Sequence, residues 1–137
     1  LLIGINDIWH EISRQNGVDP EKFEKIYDML ITEVKEALPN IKIMLLGAFV
    51  LEGRATCDTE EIPDRLSRFK EGATQNAAAA KRIAEKHGLV YVPLQEVFDK
   101  ACEKAEPTYW TADGVHPTPM GHELIKNEWI KGFENMK

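Results

Sequence analysis

The sequence predicts an α/β fold in which a parallel sheet carries helices on both faces. Three apolar runs, at 1–4, 41–49 and 89–94, alternate with segments whose apolar residues recur at helical spacing. A run that is apolar throughout, rather than at every second residue, is typical of a parallel strand covered on both faces. Regular alternation of such strands with helices favours a parallel sheet.

Composition indicates one ordinary domain over residues 1–137. The chain is 43% hydrophobic, which is enough for a real core, and carries a net charge of −6. No basic cluster stands out, so nucleic acid is not an expected partner. No apolar run approaches the roughly 20 residues of a membrane span. We therefore expect neither nucleic-acid binding nor a membrane-spanning segment.

The first elements follow from capping residues and periodicity. "LLIG", at 1–4, predicts the end of a buried strand, and "INDIWHE", at 5–11, a loop or a first helical turn. The stretch 18–39 predicts a helix because Asp19 suits the N-cap, Pro20 suits the first turn, and apolar residues repeat at three- and four-residue steps.

The remaining elements continue the alternation, with a glycine at the expected C-cap of the long helix and a threonine and a proline opening the last one. They are strand 41–49, loop 50–62, helix 63–87 with Gly88 after it, strand 89–94, helix 95–105 and a final helix from Thr118 and Pro119.

The predicted sheet is thin and has an exposed edge. Three strands leave a large unpaired rim, and the chain opens inside a strand, so we expect N-terminal βα units to precede this sequence. The exposed rim also favours self-association as a homo-oligomer. Cys57 and Cys102 match no metal or redox spacing, which predicts unpaired thiols in a reducing, cytoplasmic compartment. Secretion stays an open alternative because the expected upstream residues are not in the sequence.

Two polar stretches are expected to meet at one edge of the sheet. "GIND", at 4–7, follows the first strand, and "ADGVHP", at 112–117, precedes the last helix. In open α/β sheets functional sites lie beyond the carboxyl ends of the strands. Asn6, Asp113 and His116 are therefore predicted to converge.

The chemistry of these three side chains matches acyl transfer. A histidine exchanges a proton near neutral pH, and it needs an acceptor on its second ring nitrogen, which Asp113 can supply across the Gly114 turn. A neutral amide such as Asn6 can donate a hydrogen bond to a developing oxyanion. An amide, an imidazole and a carboxylate make up most of an acyl-transfer site.

Less specific interpretations stay open. Asp113 can cap a turn beside a surface His116, since the D-x-x-H spacing is common. The same pair can hold a metal with His122 as third ligand, although His122 is expected to face solvent on the last helix. Trp9 and Trp110 can line a substrate pocket, where Trp110 would stack on a sugar ring, or pack under the loops.

Both stretches resemble sequence blocks of one family. "IGIND" resembles the G-x-N-D block of the SGNH hydrolases, also called GDSL esterases and lipases, and "DGVHPTPMGHELI" resembles their final D-x-x-H-P block. The resemblance covers essentially the whole chain. It implies a flavodoxin-like three-layer α/β/α fold, Asn6 as an oxyanion donor, His116 as general base and Asp113 as its orienting acid, without a metal or organic cofactor.

One departure from the family pattern is large. The family's nucleophilic serine lies in an N-terminal G-D-S block that this sequence lacks. The only serines are Ser13 and Ser67, and neither follows a strand in a tight turn. We therefore expect these 137 residues to be inactive alone and to need the missing N-terminal segment.

The resemblance also suggests a substrate. The form "GINDIWHE" is similar to that of small xylan acetylesterases, which implies a short acyl ester, such as acetyl on a carbohydrate. A lysophospholipid or a thioester is an alternative, because no residue fixes the length of the acyl pocket. A non-catalytic α/β module that binds a ligand or a partner chain is the rival of a different class.

Overall fold

The computed structural model describes residues 1–136, and this part of the chain holds six helices and two short strands. They are α1 (Ile5–Arg14), α2 (Pro20–Ala37), β1 (Met44–Leu46), α3 (Arg65–His87), β2 (Val90–Val92), α4 (Leu94–Cys102), α5 (Pro107–Trp110) and α6 (Pro119–Glu134). None of these helices combines the length and the apolar character that a membrane crossing requires.

The sheet is parallel, as predicted. β1 pairs with β2 so that Met44 lies opposite Val90 and Leu46 opposite Val92. The N-terminal residues run along the other side of β1, where the Leu1 carbonyl accepts a hydrogen bond from the Leu46 N–H at 2.8 Å and Leu2 forms an isolated parallel bridge with Leu46. The predicted α/β class with a parallel sheet is confirmed.

Helices cover both faces of this sheet. Leu45 packs against α2 and α3 on one face, in a cluster that includes Tyr27 and Ile83. Met44 and Leu46 point to the opposite face, toward α4, α5 and α6. A third cluster lies under the carboxyl end of the sheet and joins α1, α3 and the last loop; its buried members are Ile8, Ile12, Val50, Phe69, Ala73 and Val115.

The predicted first strand is wrong in its burial. Leu1, Leu2 and Ile3 are 48%, 42% and 39% exposed, and only an isolated bridge forms there. Within residues 1–136 this segment pairs with β1 on one side only, which leaves its other edge open.

Both internal strands are shorter than the sequence predicts. β1 and β2 each have three residues. Beyond β1 the backbone of Val50 no longer pairs with another strand. Its N–H and carbonyl instead bond the side-chain amide of Gln95 at 2.9 and 3.1 Å.

The segment predicted as a loop or single turn at 5–11 lies in helix α1. The ten residues of α1 are held in place by packing, because Ile8 and Ile12, one turn apart, are buried with Phe69 and Ala73 of α3. That four-residue spacing is the sequence signal for the helix. The short helix α5 was also not predicted.

The predicted helix caps at Asp19, Gly88 and Thr118 are confirmed, whereas the helix predicted over 95–105 ends at Cys102. Asp19 caps α2 by accepting hydrogen bonds from the N–H groups of Glu21 and Lys22 at 2.9 and 3.3 Å. Thr118 caps α6 by accepting from the Gly121 N–H at 3.2 Å. Gly88 ends α3 with a φ of +66°, a conformation that glycine adopts without strain.

Candidate active site

Asp113 and His116 form a hydrogen-bonded pair in the turn between α5 and α6. One carboxylate oxygen, Oδ1, accepts the N–H groups of Val115 and His116 at 3.1 and 3.0 Å. The other, Oδ2, lies 2.8 Å from Nδ1 of the His116 ring. Asp113 therefore fixes the backbone of the turn with one oxygen and the imidazole with the other.

The two partners differ in exposure. The side chain of Asp113 is 11% exposed and that of His116 is 71% exposed. Burial alone would raise the pKa of Asp113 and is the largest single influence. The His116 backbone N–H, the His116 ring and the Val115 N–H together outweigh it, so the pKa of Asp113 lies below its ordinary value. The acid is thus ionised at neutral pH.

This arrangement selects one tautomer of the neutral imidazole. An ionised carboxylate is only an acceptor, so Nδ1 of His116 carries the proton that Asp113 Oδ2 receives. Nε2 then presents its lone pair and can accept a proton from a nucleophile. The pair has the protonation pattern of a general base and its orienting acid.

Asn6 lies in the first turn of α1, two residues after Gly4, which adopts a positive φ. Gly4 has a φ of +115°, and its carbonyl accepts a hydrogen bond at 2.9 Å from Nδ2 of Asn76. Asn76 is a buried residue of α3, 3% exposed. The long helix therefore holds the turn from which the exposed Asn6 projects.

An open pocket of about 260 Å³ brings together three of the predicted residues, Asn6, Trp9 and His116. It is lined by Asn6, Trp9, His10, Ser13, Arg14 and His116. The Trp9 ring lies 6.0 Å from the His116 ring and packs edge-on against the buried Phe69 at 5.8 Å. Trp9 thus forms a fixed wall beside the imidazole.

Trp110, predicted to bind substrate, does not line this pocket. It is 8% exposed, its indole N–H donates to the Ala105 carbonyl at 3.2 Å, and it packs with Leu94 and Phe98. Trp110 is therefore a packing residue rather than a residue of this pocket, because α5 directs its side chain into the core.

Ser13 and Arg14 are pocket residues that the sequence reasoning missed. Asn6, His10 and Arg14 are spaced four residues apart, so they share one face of α1, but that face exists only once 5–14 is helical. Ser13 makes no hydrogen bond with His116 in the described part of the chain. Ser67 lies far along the chain in α3 and donates to the Asp64 carbonyl at 2.9 Å.

The structure gives no support to the metal alternative. Within residues 1–136, no three histidine, cysteine or carboxylate side chains are grouped so that they could hold an ion. His122 is exposed in the first turn of α6. Asp113 and His116 are bonded to each other instead.

We expect Gly114→Ala to destabilise the fold by about 2–5 kcal/mol, from backbone strain and overpacking together. Gly114 has a φ of +106°, and an added Cβ would overlap Thr56 Oγ1 and lie 2.7 Å from the Leu51 carbonyl oxygen. Gly88→Ala is the matched control, because Gly88 also has a positive φ but open space around it; its cost should be about 1 kcal/mol. Equal losses in urea unfolding would show that the turn is not tightly packed.

Comparison with known proteins gives a consistent result. Residues 1–124 match the GDSL-like Lipase/Acylhydrolase family. An acetylxylan esterase from Geobacillus stearothermophilus is 28% identical over 141 residues, which cover 98% of this chain and 58% of that protein.

Solved structures share the fold. A protein from Parabacteroides merdae, described as a GDSL-like lipase, is 32% identical with a TM-score of 0.82, over 95% of this chain and 56% of its own. An α/β hydrolase enzyme from the Lake Arreo metagenome is 25% identical with a TM-score of 0.78, over 99% and 59%. The chain thus spans a little over half the length of these relatives.

Proposed function

Because this chain belongs to the GDSL-like lipase/acylhydrolase family, we propose that it supplies the histidine, the aspartate and an oxyanion donor of a serine esterase. The observation that carries the proposal is the 2.8 Å contact between Asp113 Oδ2 and Nδ1 of an exposed His116, in a pocket that Asn6 also lines. A buried acid, an exposed base and a nearby amide are the groups that acyl transfer needs in addition to a nucleophile.

The proposed cycle is two-step acyl transfer. Nε2 of His116 takes the proton of a serine hydroxyl as its oxygen attacks the ester carbonyl. The Asn6 amide donates to the resulting oxyanion, and Asp113 stabilises the imidazolium. The tetrahedral intermediate collapses, and the alcohol leaves with the proton from His116. Water, activated by the same ring, then releases the acid and restores the serine.

The serine is proposed to come from a preceding segment of the same domain. A solved variant of the Geobacillus stearothermophilus acetylxylan esterase, 25% identical to this chain, is described as a catalytic mutant in which a serine is replaced by alanine. The exposed segment Leu1–Ile3 has an open edge where a further parallel strand can pair. Next to it lies an apolar groove lined by Leu30, Val34, Ile41 and Trp129, among others.

The proposed substrate is a short-chain acyl ester, most simply an acetyl group on a carbohydrate. The acetylxylan esterase relative supports this choice. The rigid indole of Trp9 offers an apolar face next to the catalytic ring, suited to the face of a sugar. A lysophospholipase or thioesterase of the same family is the alternative.

Hydrolysis assays test the proposal. A protein that carries this chain together with the proposed serine-bearing segment, called the longer protein below, should hydrolyse p-nitrophenyl acetate and acetylated xylo-oligosaccharides faster than long-chain esters or thioesters. The 137-residue chain alone should hydrolyse none of them. Ser13 lines the pocket, so Ser13→Ala in the longer protein is a required control and should keep full activity. An inactive longer protein would favour the non-catalytic binding module.

Replacing Asn6 by alanine should lower kcat for the longer protein by about 10²- to 10³-fold, because an oxyanion donor acts mainly in the transition state. KM should change little. Asn16→Ala is the matched control, since Asn16 is an exposed asparagine between α1 and α2. A rise in KM at constant kcat would instead assign Asn6 to ground-state binding.

We also propose that the protein is cytoplasmic. Cys57 and Cys102 are both free thiols, which supports a reducing compartment. Cell fractionation with an antibody to the chain tests this, and recovery from the medium would contradict it. Mass photometry and light scattering of the longer protein test self-association through the open edge at Leu1–Ile3. If the preceding segment covers this edge, the longer protein should be a monomer.

A further inference from the structure

The loop that follows β1 holds the catalytic turn by its backbone. The N–H of Leu51 donates to the Gly114 carbonyl at 2.8 Å, and the N–H of Ala55 donates to the Asp113 carbonyl at 3.0 Å. Both carbonyls belong to the turn that separates the acid from the base. The loop 51–56 therefore sets the position of that turn.

One buried side chain closes this loop. Thr56 is 0% exposed, and its hydroxyl donates to the Leu51 carbonyl at 2.7 Å and also lies 3.3 Å from that of Gly53. The Thr56 N–H donates to the Gly53 carbonyl at 3.0 Å. Both ends of the loop are thus joined through Thr56.

Loop and turn pack backbone against backbone. A Cβ at Gly53 would overlap the carbonyl carbon of Asp113 and the nitrogen of Gly114. A Cβ at Gly114 would in turn overlap the hydroxyl of Thr56. Because the backbone of the turn lies directly against the loop backbone at Gly53 and the buried Thr56 side chain, a shift of the loop displaces the turn.

The loop is also anchored to the helices. Nε of Arg65, at the start of α3, donates to the Ala55 carbonyl at 2.8 Å. The amide of Gln95, in α4, bonds both the N–H and the carbonyl of Val50. The closed loop therefore connects the helical layers to the turn.

We propose that Thr56 is a positioning residue for the Asp113–His116 pair. Its hydroxyl fixes the loop 51–56, the loop fixes the two carbonyls of the turn, and the turn fixes how the carboxylate meets the imidazole. The catalytic consequence rests on the proposed function, whereas the positioning itself does not.

The test uses variants of the 137-residue chain. Thr56→Val replaces the hydroxyl by a methyl group of similar size and leaves the Leu51 carbonyl without its donor, whereas Thr56→Ser keeps the hydroxyl. Thr32→Val is the matched control, because Thr32 also donates to a backbone carbonyl, that of Asp28 at 2.9 Å, but lies in α2.

The readouts are the carboxyl ¹³C titration of Asp113 and the downfield Nδ1–H proton signal of His116. Thr56→Val should raise the pKa of Asp113 toward its ordinary value and weaken or broaden the Nδ1–H signal. Thr56→Ser and Thr32→Val should leave both unchanged. A folded Thr56→Val chain with both signals unaltered would overturn the proposal.

Amide exchange in the unmodified chain decides the matter should Thr56→Val fail to fold. The N–H groups of Leu51 and Ala55 should be as protected as those of Val115 and His116, since they open together. Rapid exchange at Leu51 and Ala55 beside a protected His116 would equally refute the role of the loop.

Activity gives an independent arm. In the longer protein, Thr56→Val should lower kcat by up to about 10²-fold at nearly constant KM, because catalytic geometry is lost and substrate contacts are kept. The NMR readouts need no serine. An inactive wild-type protein with the expected NMR changes would therefore refute the proposed function and leave the positioning role standing.

Discussion

Replacing His116 by alanine should reduce hydrolysis of p-nitrophenyl acetate by the longer protein by roughly 10⁴- to 10⁶-fold in kcat. The ring is the group whose Nε2 can take the serine proton, and its Nδ1 is held by Asp113 at 2.8 Å. Without it, neither attack nor departure of the alcohol has a proton carrier. KM should move far less than kcat.

His122→Ala is the matched control for this variant. His122 is also exposed and lies six residues further along, in the first turn of α6, outside the pocket. It should keep wild-type rates. Equal rates for wild type and His116→Ala would remove His116 from the mechanism, and equal losses in both histidine variants would point to damage to the fold.

Asp113→Asn should lower kcat by about 10⁴-fold, because an amide of the same shape no longer enforces the tautomer with Nδ1 protonated. Oδ1 can still accept the two backbone N–H groups, so the turn should persist. Asp64→Asn, at an exposed aspartate whose side chain forms no cap hydrogen bond, should have no effect. Retention of full activity by Asp113→Asn would exclude an orienting role for the carboxylate.

The same substitution should change the acid dependence of stability. The pKa of Asp113 is lowered on folding, so its contribution is fully present above the ordinary aspartate value of about 3.9 and is lost as the pH falls through the lower folded value. Urea unfolding should therefore show wild type more stable than Asp113→Asn by a larger margin at pH 7 than at pH 2–3. A constant margin would contradict the lowered pKa.

The sequence was most informative where structure is local. Asp113 and His116 are three residues apart around a glycine, so the turn that joins them depends on nearby residues. Helix ends at Asp19 and Thr118 likewise follow from side chains that cap N–H groups two or three residues away.

Features that depend on contacts between residues far apart in the chain could not be predicted from the sequence. α1 is helical because Ile8 and Ile12 pack on α3, more than fifty residues away, and its pocket face appears only with that helix. Trp9 and Trp110 look alike as aromatic residues near a motif, yet one lines the pocket and the other is in the core. The support of the turn by Thr56 is a contact between two loops that no periodicity reveals.

The apolar cluster beneath the pocket has a consequence for how the site withstands heat. Val115, between acid and base, and Ile8, two residues after Asn6, are buried in the same cluster with Phe69. The base and the amide donor are therefore both supported by this one cluster, and the distance between them is preserved when outer strands or helix ends fray. Warming should keep the relative geometry of the two groups until this cluster melts, and both should then be lost in a single step.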